Sequence, residues 1–433
     1  MKMKSSDIKK AIILAGGEGT RLAQISAGLP KPLFPVCGEA ILSRQLKILA
    51  REGISEAVIV TGYKSEVIKD YFASSSAFGV DISFYEESEP LGTGGALALL
   101  GLDEDILLCS GDLIFDFSLD RMYAFHRQSG ALATLFAHPN SHPADSTAII
   151  CGKDGRISAF VPKESKTDWC ENLSNAGIQI LSREFLRTLE PGGAKDLDRD
   201  ILMPAVNSGR LFAYRCTEYV HDAGTPVRLE KAEKDISLGI PAKRNLRNKQ
   251  RAVFIDRDGT LNVYKGYITN KDDIELLPGA AQALKMINDS GMLAVLATNQ
   301  AVIARGDCTF EELDAINARL EDLLGREGAY LDAIYYCPHH PEPGHPGERP
   351  EYKIKCNCRK PAPGMLLQAA EDLNIDLASS YMAGDALSDR QAGINAGCKP
   401  VLLSCGKQES EAEGLADYPD LLSFCKDIFL KYT

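Results

Sequence analysis

Two carboxylates in the C-terminal half of the chain are spaced for chemistry on phosphorus. The apolar run Ala252–Ile255 leads directly into Asp-Arg-Asp-Gly-Thr at residues 256–260. This run predicts a buried strand that delivers both acids at its carboxyl end. Asp256 and Asp258 turn toward one side once the strand ends, so one can attack phosphorus while the other handles the leaving-group proton. The pattern predicts phosphoryl transfer through an aspartate.

A second group of residues in the same half has the composition of a zinc site. Cys337 and His339 form a Cys-x-His pair, and Cys356 and Cys358 follow some seventeen residues later. Thiolates and an imidazole are ligands that Zn²⁺ prefers, and four of them close a tetrahedron with no position left for water. The spacing therefore predicts a structural zinc ion, and unliganded thiols in a reducing cell are the alternative.

The N-terminal half begins with a glycine-rich turn after a strand. The sequence AGGEGTRL occupies residues 15–22, and LPKPLFPV follows at residues 29–36. Glycines let backbone N–H groups approach a phosphate, Arg21 supplies a planar fork of donors, and Lys31 supplies a point charge. The pattern predicts a triphosphate site, and its spacing is neither the dinucleotide fingerprint nor a Walker loop.

Together these two segments resemble the signature of the sugar-1-phosphate nucleotidylyltransferases, and residues 10–235 follow the pattern of that family. An aspartate that ends an apolar strand, as Asp112 does, can hold Mg²⁺, and the resemblance implies Asp222 as the second ligand. It also implies that Lys163 contacts the sugar phosphate. The loop 89–97 would hold the base and ribose, and the segment 175–178 would contact the sugar. The residues implied for substrate and nucleotide binding are Gly16, Gly17, Gly19, Thr20, Gly92, Gly94, Gly95, Lys163, Asn175 and Gly177.

The C-terminal motifs resemble the haloacid dehalogenase phosphatases. In that family Asp256 would be the nucleophile and Asp258 the general acid and then base, while Thr298 and Lys360 would hold the phosphoryl oxygens. Mg²⁺ would lie on Asp256, Asp385 and the backbone carbonyl of Asp258, with Asp389 as a helper. Further predicted substrate-binding residues, from the TNQAVIARG and CNCRKP segments, are Asn299, Arg305 and Arg359.

Residues 250–405 closely resemble the family of the heptose 1,7-bisphosphate 7-phosphatases, and the histidinol phosphatases are the nearest alternative. Such a phosphatase yields a heptose 1-phosphate, which a sugar-1-phosphate nucleotidylyltransferase consumes. The combination predicts a bifunctional enzyme of nucleotide-activated heptose synthesis that uses Mg²⁺ at both sites. GTP is the favoured nucleotide, because adenylyl enzymes acting on heptoses carry H-x-G-H instead of GGxGTRL. Two alternatives stay open: a regulatory sugar-nucleotide binding module on a phosphatase, and transfer to another sugar 1-phosphate.

The elements that position these residues follow the rhythm of βαβ units. Apolar runs at 11–15, 57–60, 106–109, 252–255, 293–298 and 381–383 alternate with amphipathic stretches, which predicts an α/β protein. We expect a Rossmann-like, GT-A-like mixed sheet in a domain at 1–240, and a cationic linker at 241–250. A haloacid dehalogenase-like Rossmannoid domain with a zinc loop and no large cap would occupy 251–433.

The composition of the chain indicates which partners and which compartment to expect. The 433 residues have 48 Lys and Arg against 60 Asp and Glu, a formal net charge of −12, which disfavours a nucleic-acid partner bound through a broad basic face. Twelve cysteines are scattered along a chain without a secretion signal or a membrane-spanning run, so we expect a soluble cytoplasmic protein with small-molecule substrates and no membrane partner. Homo-oligomerisation stays open.

Overall fold

The structure is a computed structural model that describes residues 7–17, 28–73, 78–165, 170–404 and 416–430. The chain divides into two compact units. Unit 1 comprises Met1–Ala137, Ile149–Phe160 and Asn175–Asn245, and unit 2 comprises His138–Ala148, Val161–Ser174 and Leu246–Thr433. Among the described residues, no helix is both long enough and apolar enough to cross a bilayer.

The N-terminal half contains thirteen described strands and seven described α-helices. The strands are β1 Lys10–Leu14, β2 Pro35–Val36, β3 Glu39–Ala40, β4 Glu56–Thr61, β5 Asp81–Glu86, β6 Ile106–Ser110, β7 Leu113–Asp116, β8 Ala133–His138, β9 Ala148–Cys151, β10 Ile157–Val161, β11 Ser174–Leu181, β12 Leu211–Arg215 and β13 Tyr219–Asp222. The helices are α1 Ile41–Arg51, α2 Ser65–Ala73, α3 Leu119–Ser129, α4 Arg183–Leu186, α5 Met203–Ala205, α6 Pro226–Ser237 and α7 Ile240–Arg244, and a π-helix spans Leu197–Leu202.

Seven of these strands form one sheet in the order β12-β8-β11-β6-β1-β4-β5. β1 lies parallel to both β4 and β6, and β11 runs antiparallel to β6. The central residues of β1 are fully buried, as expected for a strand covered on both faces. The predicted mixed α/β sheet is therefore present.

A separate two-stranded ribbon positions two of the predicted metal ligands. β7 and β13 pair antiparallel, with Asp222 opposite Leu113. Asp112 immediately precedes Leu113, and its backbone carbonyl accepts a hydrogen bond from the Ala223 amide at 3.2 Å. The ribbon brings Asp112 and Asp222 side by side although 110 positions separate them in the sequence.

The C-terminal part is an open parallel sheet with helices. Its strands are β14 Ala252–Ile255, β15 Leu293–Asn299, β16 Ala333–Cys337, β17 Tyr381–Gly384 and β18 Lys399–Leu402, in the order β16-β15-β14-β17-β18. Its helices are α8 Ala280–Ser290, α9 Val302–Arg305, α10 Phe310–Arg326, α11 Gly364–Asp372, α12 Leu387–Ala396 and α13 Leu421–Phe429. Successive strands are added on one side of β14 and then on the other, so the strand order reverses between β14 and β17. Ligands bind at the carboxyl ends of strands at such a point.

The segment predicted as a linker contains regular structure. α7 covers residues 240–244, and Ile240 and Arg244 are buried. The Arg244 guanidinium donates to the Thr217 carbonyl at 2.9 Å, and the Asn245 amide donates to Asp116 at 2.6 Å. The cationic composition suggested a solvated segment, but these tertiary contacts order its first residues.

Candidate active sites

The carboxyl ends of β14 and β15 and the loop before α11 bring Asp256 and Lys360 together. Lys360 Nζ lies 2.7 Å from an Asp256 oxygen and 2.7 Å from an Asp389 oxygen, and it also donates to the Ala297 carbonyl at 2.7 Å. Burial raises the pKa of Asp256 to about 6; the Lys360 ammonium opposes this shift and the Asp389 carboxylate adds to it. Lys360 is thus fixed against the predicted nucleophile.

A third carboxylate completes this cluster. Oxygen atoms of Asp256, Asp385 and Asp389 all lie within 4.8 Å of one another, and all three residues are buried. Gly259, at φ +84°, packs so closely against Asp385 that a Cβ atom there would lie 2.4 Å from a carboxylate oxygen. Three buried carboxylates face one ammonium, so the cluster has excess negative charge that a divalent cation would neutralise.

The Asp258 side chain is held by donors on both of its oxygens. Arg257 donates from Nε at 3.2 Å and from Nη2 at 3.0 Å, Asn262 donates at 3.1 Å and Gln300 at 2.9 Å. Burial opposes ionisation, but the Arg257 charge and these hydrogen bonds keep the pKa of Asp258 below its ordinary value. No role was predicted from the sequence for Arg257, Asn262 or Gln300, although Arg257 lies inside the Asp-Arg-Asp motif and Gln300 inside Thr-Asn-Gln.

Two of the other predicted phosphatase residues, Thr298 and Asn299, lie at the end of β15. The Thr298 hydroxyl is buried and accepts a hydrogen bond from Gln300 at 2.9 Å. The Asn299 amide pairs with the backbone of Lys360, accepting at 3.0 Å and donating at 3.1 Å, so it orients the lysine. Arg305 pairs with Asp307 and stacks over Tyr267 at 4.1 Å, and Arg359 donates to the His339 carbonyl at 3.0 Å.

The four predicted zinc ligands converge. Sulfur to sulfur distances among Cys337, Cys356 and Cys358 are 3.1 to 3.5 Å, and His339 Nδ1 lies 3.3 Å from Cys358 and 3.6 Å from Cys337. A tetrahedron with metal–sulfur bonds of about 2.3 Å has edges slightly longer than these. The donor set therefore fits a closed metal centre.

In unit 1, Lys31 lies between the two aspartates of the ribbon. Its ammonium contacts an Asp112 oxygen and lies 3.5 Å from an Asp222 oxygen. The other Asp112 oxygen accepts from the Ser110 hydroxyl at 2.8 Å, and Asp222 also pairs with Arg228. Burial opposes ionisation, but Lys31 and Arg228 hold the pKa of Asp222 below its ordinary value. Two carboxylates that converge on one cation fit an Mg²⁺ site.

Two residues for which the sequence predicts no role support this geometry. The buried Gln45 amide on α1 donates to the Ser110 carbonyl at 2.9 Å and to the Leu113 carbonyl at 2.7 Å, and so spans the turn that carries Asp112. Arg228 follows Asp222 by six positions, at the start of α6. Neither residue belongs to a motif, so only the tertiary structure identifies them.

The predicted base and ribose loop packs tightly on a neighbouring segment. A Cβ atom at Gly92 would lie 2.5 Å from the Lys195 carbonyl, one at Gly94 would lie 2.5 Å from Ile201, and one at Gly95 would lie 2.8 Å from the Gly193 carbonyl. Close backbone approach therefore explains the glycines at 92 and 95, whereas a Cβ atom at Gly94 would meet the end of a side chain.

The predicted sugar segment forms part of β11. The Asn175 amide donates to Asp198 at 2.9 Å and its oxygen accepts from the Gly177 amide at 3.1 Å, with Gly177 at φ +80°. Burial raises the pKa of Asp198, a carboxylate with no role predicted from the sequence. Lys163 is exposed, in a short 3-10 turn of a segment assigned to unit 2.

The glycine-rich turn is described in part. Gly16 and Gly17 follow β1, and a Cβ atom at Gly16 would lie 2.9 Å from a Glu87 oxygen, whereas Gly17 faces open space. Three predicted residues, Gly19, Thr20 and Arg21, lie outside the described residues.

Comparisons with known proteins match the two halves separately. A nucleotidyl transferase family model matches residues 10–238, and a HAD-hydrolase-like family model matches residues 357–427. The D-glycero-beta-D-manno-heptose-1,7-bisphosphate 7-phosphatase of Haemophilus ducreyi is 46% identical over 171 residues, which are 39% of this chain and 91% of that protein. The enzyme of the same name from Escherichia coli K12 is 44% identical over 170 residues, covering 39% of this chain and 86% of that protein. A crystal structure of HddC from Yersinia pseudotuberculosis has 24% identity and a TM-score of 0.45, covering 53% of this chain and 100% of that chain.

Proposed function

The chain belongs to the nucleotidyl transferase family and, through its C-terminal part, to the family of the D-glycero-beta-D-manno-heptose-1,7-bisphosphate 7-phosphatases, and from this premise we propose a bifunctional enzyme that makes a nucleotide-activated heptose. The C-terminal site removes the 7-phosphate of a heptose 1,7-bisphosphate. The N-terminal site then joins the resulting heptose 1-phosphate to the nucleotidyl group of a nucleoside triphosphate, with GTP as the favoured donor, and releases pyrophosphate.

The observation that carries this proposal is that both reaction centres have their charged groups assembled in one chain. Asp256 and Lys360 are in contact in the C-terminal part, and Lys31 joins Asp112 and Asp222 in unit 1. A binding module that had lost its chemistry would not be expected to keep the two aspartates and the lysine together. The product of the first reaction is a substrate of the second, which gives a reason for joining them.

In the phosphatase reaction, Asp256 attacks the phosphorus of the 7-phosphate and forms an aspartyl phosphate. Lys360, with the Thr298 hydroxyl, holds the phosphoryl oxygens as negative charge develops on them. Asp258 gives a proton to the leaving sugar oxygen and afterwards takes one from the water that hydrolyses the intermediate. Asp389 also binds the Lys360 ammonium, at 2.7 Å.

Asp256, Asp385 and the backbone carbonyl of Asp258 would hold Mg²⁺ in this site. The excess of buried carboxylates over cations and the raised pKa of Asp256, which burial causes and the Asp389 charge increases, both support a cation there. When bound, Mg²⁺ neutralises charge on the nucleophile and on the phosphate.

In the nucleotidyl transfer, an oxygen of the sugar 1-phosphate attacks the α-phosphorus of the triphosphate and pyrophosphate leaves. No protein nucleophile is needed. Arg21 and Lys31 bind phosphate oxygens, and Asp112 and Asp222 would hold Mg²⁺, which screens the charge of the triphosphate. Lys163, Asn175 and Gly177 would contact the sugar phosphate and the sugar, and the 92–95 loop the nucleotide.

We also propose a structural zinc site and a division of the chain into two catalytic domains. Cys337, His339, Cys356 and Cys358 would hold a structural zinc ion, which would fix the chain just before Arg359 and Lys360. The transferase domain would span about 1–240 and the phosphatase domain 251–433, with the intervening residues as their connection.

The deciding experiment supplies heptose 1,7-bisphosphate, Mg²⁺ and a panel of nucleoside triphosphates to the purified full chain. We expect phosphate, pyrophosphate and, with GTP, GDP-heptose. An Asp256→Asn variant should form GDP-heptose only from heptose 1-phosphate, because an amide is too weak a nucleophile to form the phosphoryl enzyme. Release of the anomeric phosphate by the wild type, or no pyrophosphate with any triphosphate, would contradict the proposal.

A further inference from the structure

Arg257 is the largest fully buried side chain among the described residues, and its charge is placed against Asp258. Its guanidinium binds both oxygens of that carboxylate. Its remaining contacts are the Asn317 oxygen at 3.3 Å and the Gln300 oxygen at 2.9 Å. Burying a charged pair is costly, and apolar side chains of similar volume stabilise an interior at least as well. The stability of the sheet therefore does not explain why an arginine occupies this position.

Gln300 completes the arrangement. Its carbonyl oxygen accepts from Arg257, and its amide nitrogen donates to Asp258 at 2.9 Å and to the Thr298 hydroxyl at 2.9 Å. Because one end of the amide must accept from Arg257 and the other must donate, the orientation of the Gln300 side chain is fixed. Gln300 thus connects the loop after β15 to the loop after β14.

These contacts remove the freedom of the Asp258 side chain. Each oxygen of the Asp258 carboxylate accepts two hydrogen bonds. The donors belong to the side chains of Arg257, Asn262 and Gln300. A general acid must lie within hydrogen-bond reach of the leaving oxygen, and small misplacements lower the rate steeply. Residues that fix its rotamer therefore act on proton transfer without touching the substrate.

We propose that Arg257 and Gln300 are positioning residues that hold the Asp258 carboxylate for proton transfer to the leaving oxygen of the phosphate ester. The inference rests on the proposed phosphatase function, and it adds the middle residue of the Asp-Arg-Asp motif and the glutamine after Thr298-Asn299 to the groups on which that reaction depends. It concerns the placement of Asp258, whereas Asp256 and Lys360 act on phosphorus.

Leaving-group dependence tests the proposal. The sugar oxygen of an alkyl phosphate is strongly basic and needs a proton as it departs, whereas the nitrophenolate of 4-nitrophenyl phosphate leaves readily without one. Gln300→Met, of similar volume, removes the donor to Asp258. We expect it to lower kcat for heptose 1,7-bisphosphate at least about tenfold, a part of the usual contribution of acid catalysis. For 4-nitrophenyl phosphate kcat should change less than about threefold, and KM for both should stay nearly constant.

Two further variants keep the test decisive. Gln250→Met removes another buried glutamine of unit 2, on a bridge to Ile375 and outside the site, and should leave both activities unchanged. Arg257→Lys keeps the charge but cannot bind both oxygens of Asp258 in the same way, so it should show the same selective loss as Gln300→Met. Equal losses on both substrates, or a change confined to KM, would overturn the proposal.

The activity of the wild-type chain tests the proposed function independently of these variants. If the wild-type chain releases no phosphate from heptose 1,7-bisphosphate, the assigned substrate is wrong. The positioning of Asp258 is then judged with histidinol phosphate, another alkyl phosphate, against 4-nitrophenyl phosphate. If neither alkyl phosphate is hydrolysed by the wild type while the aryl phosphate is, Asp258 does not act as the acid and the positioning proposal fails as well.

Discussion

Lys360 Nζ lies 2.7 Å from Asp256 Oδ1 and equally close to Asp389. Burial alone would favour the neutral amine, but the Asp256 and Asp389 carboxylates raise the pKa of Lys360 above its ordinary value. The lysine therefore stays charged in a buried site, where it can stabilise a phosphoryl group more strongly than it would in water.

Replacing Lys360 by methionine should reduce phosphate release from heptose 1,7-bisphosphate at least about a hundredfold, because a preorganised charge at the phosphoryl oxygens is lost. The pKa of Asp256 should rise further, since the Lys360 charge that opposes the effect of burial is removed. Steady-state phosphate release measures the effect. Lys285→Met, at a solvent-accessible lysine paired with Asp289 on α8, is the control and should keep wild-type activity. A Lys360→Met variant as active as this control would refute the assigned role.

Gly259→Ala should abolish phosphatase activity with little effect on nucleotidyl transfer. A Cβ atom would lie 2.4 Å from an Asp385 oxygen, and φ is +84°, so the predicted metal ligand must move. Gly328→Ala introduces a methyl group at φ +76° with no atom within 4 Å. It has the same backbone strain without the collision. Phosphate release and its dependence on Mg²⁺ concentration are measured for both variants. Equal losses of phosphatase activity in the two would show that backbone strain alone is responsible, and not the contact with Asp385.

Asp112→Asn should stop pyrophosphate release while phosphate release continues, because the metal on the triphosphate would lose a charged ligand. We expect a loss of at least about a hundredfold in the transferase rate. Asp81→Asn, at the exposed first residue of β5, is the control. Coupled assays measure pyrophosphate and phosphate release by the same preparation of each variant. A wild-type transferase rate in Asp112→Asn would place the metal elsewhere.

The cysteine cluster, formed by Cys337, His339, Cys356 and Cys358, should hold about one zinc ion per chain in protein prepared without chelators. Cys356→Ser removes one of the four donors and should lower the zinc content strongly. Cys398→Ser changes a buried cysteine of the same unit that lies outside the cluster, and it should retain the metal. Elemental analysis of the three proteins provides the measurement. Unchanged zinc in Cys356→Ser would remove the assignment.

His126 should make unit 1 less stable as the pH falls. Burial lowers the pKa of His126 to about 4 from an ordinary value of 6.5, and its ring bonds the Thr134 hydroxyl at 2.8 Å. Below about pH 6.5 the unfolded chain binds a proton that the folded chain does not bind, so stability present at pH 7 is lost on the way down to pH 4. The contribution between pH 7 and pH 5 is about 2 kcal/mol. Urea unfolding of wild type and His126→Gln measures it, and parallel pH profiles would contradict the assignment.

The sequence by itself located six of the strands and indicated the chemistry at the ends of several of them. Runs such as Ala252–Ile255 are apolar throughout because both faces of a parallel strand are covered, so a local pattern suffices to locate them. The residues that follow have types and spacings that point to phosphorus chemistry without any knowledge of their partners. The four donors Cys337, His339, Cys356 and Cys358 were also evident from their types and spacing, because a single residue separates the members of each pair.

Only the tertiary structure showed which distant residues contact one another and how they are held. Asp112 and Asp222 converge on Lys31 because β7 and β13 pair in one register, and strand pairing over such a separation leaves no local signal. Arg257 was hidden for another reason: an arginine within a motif looks solvent-exposed until the packing shows it buried against Asp258. The helix at 240–244 was missed because its cationic residues are ordered by contacts from elsewhere in unit 1, and tertiary contacts override local composition.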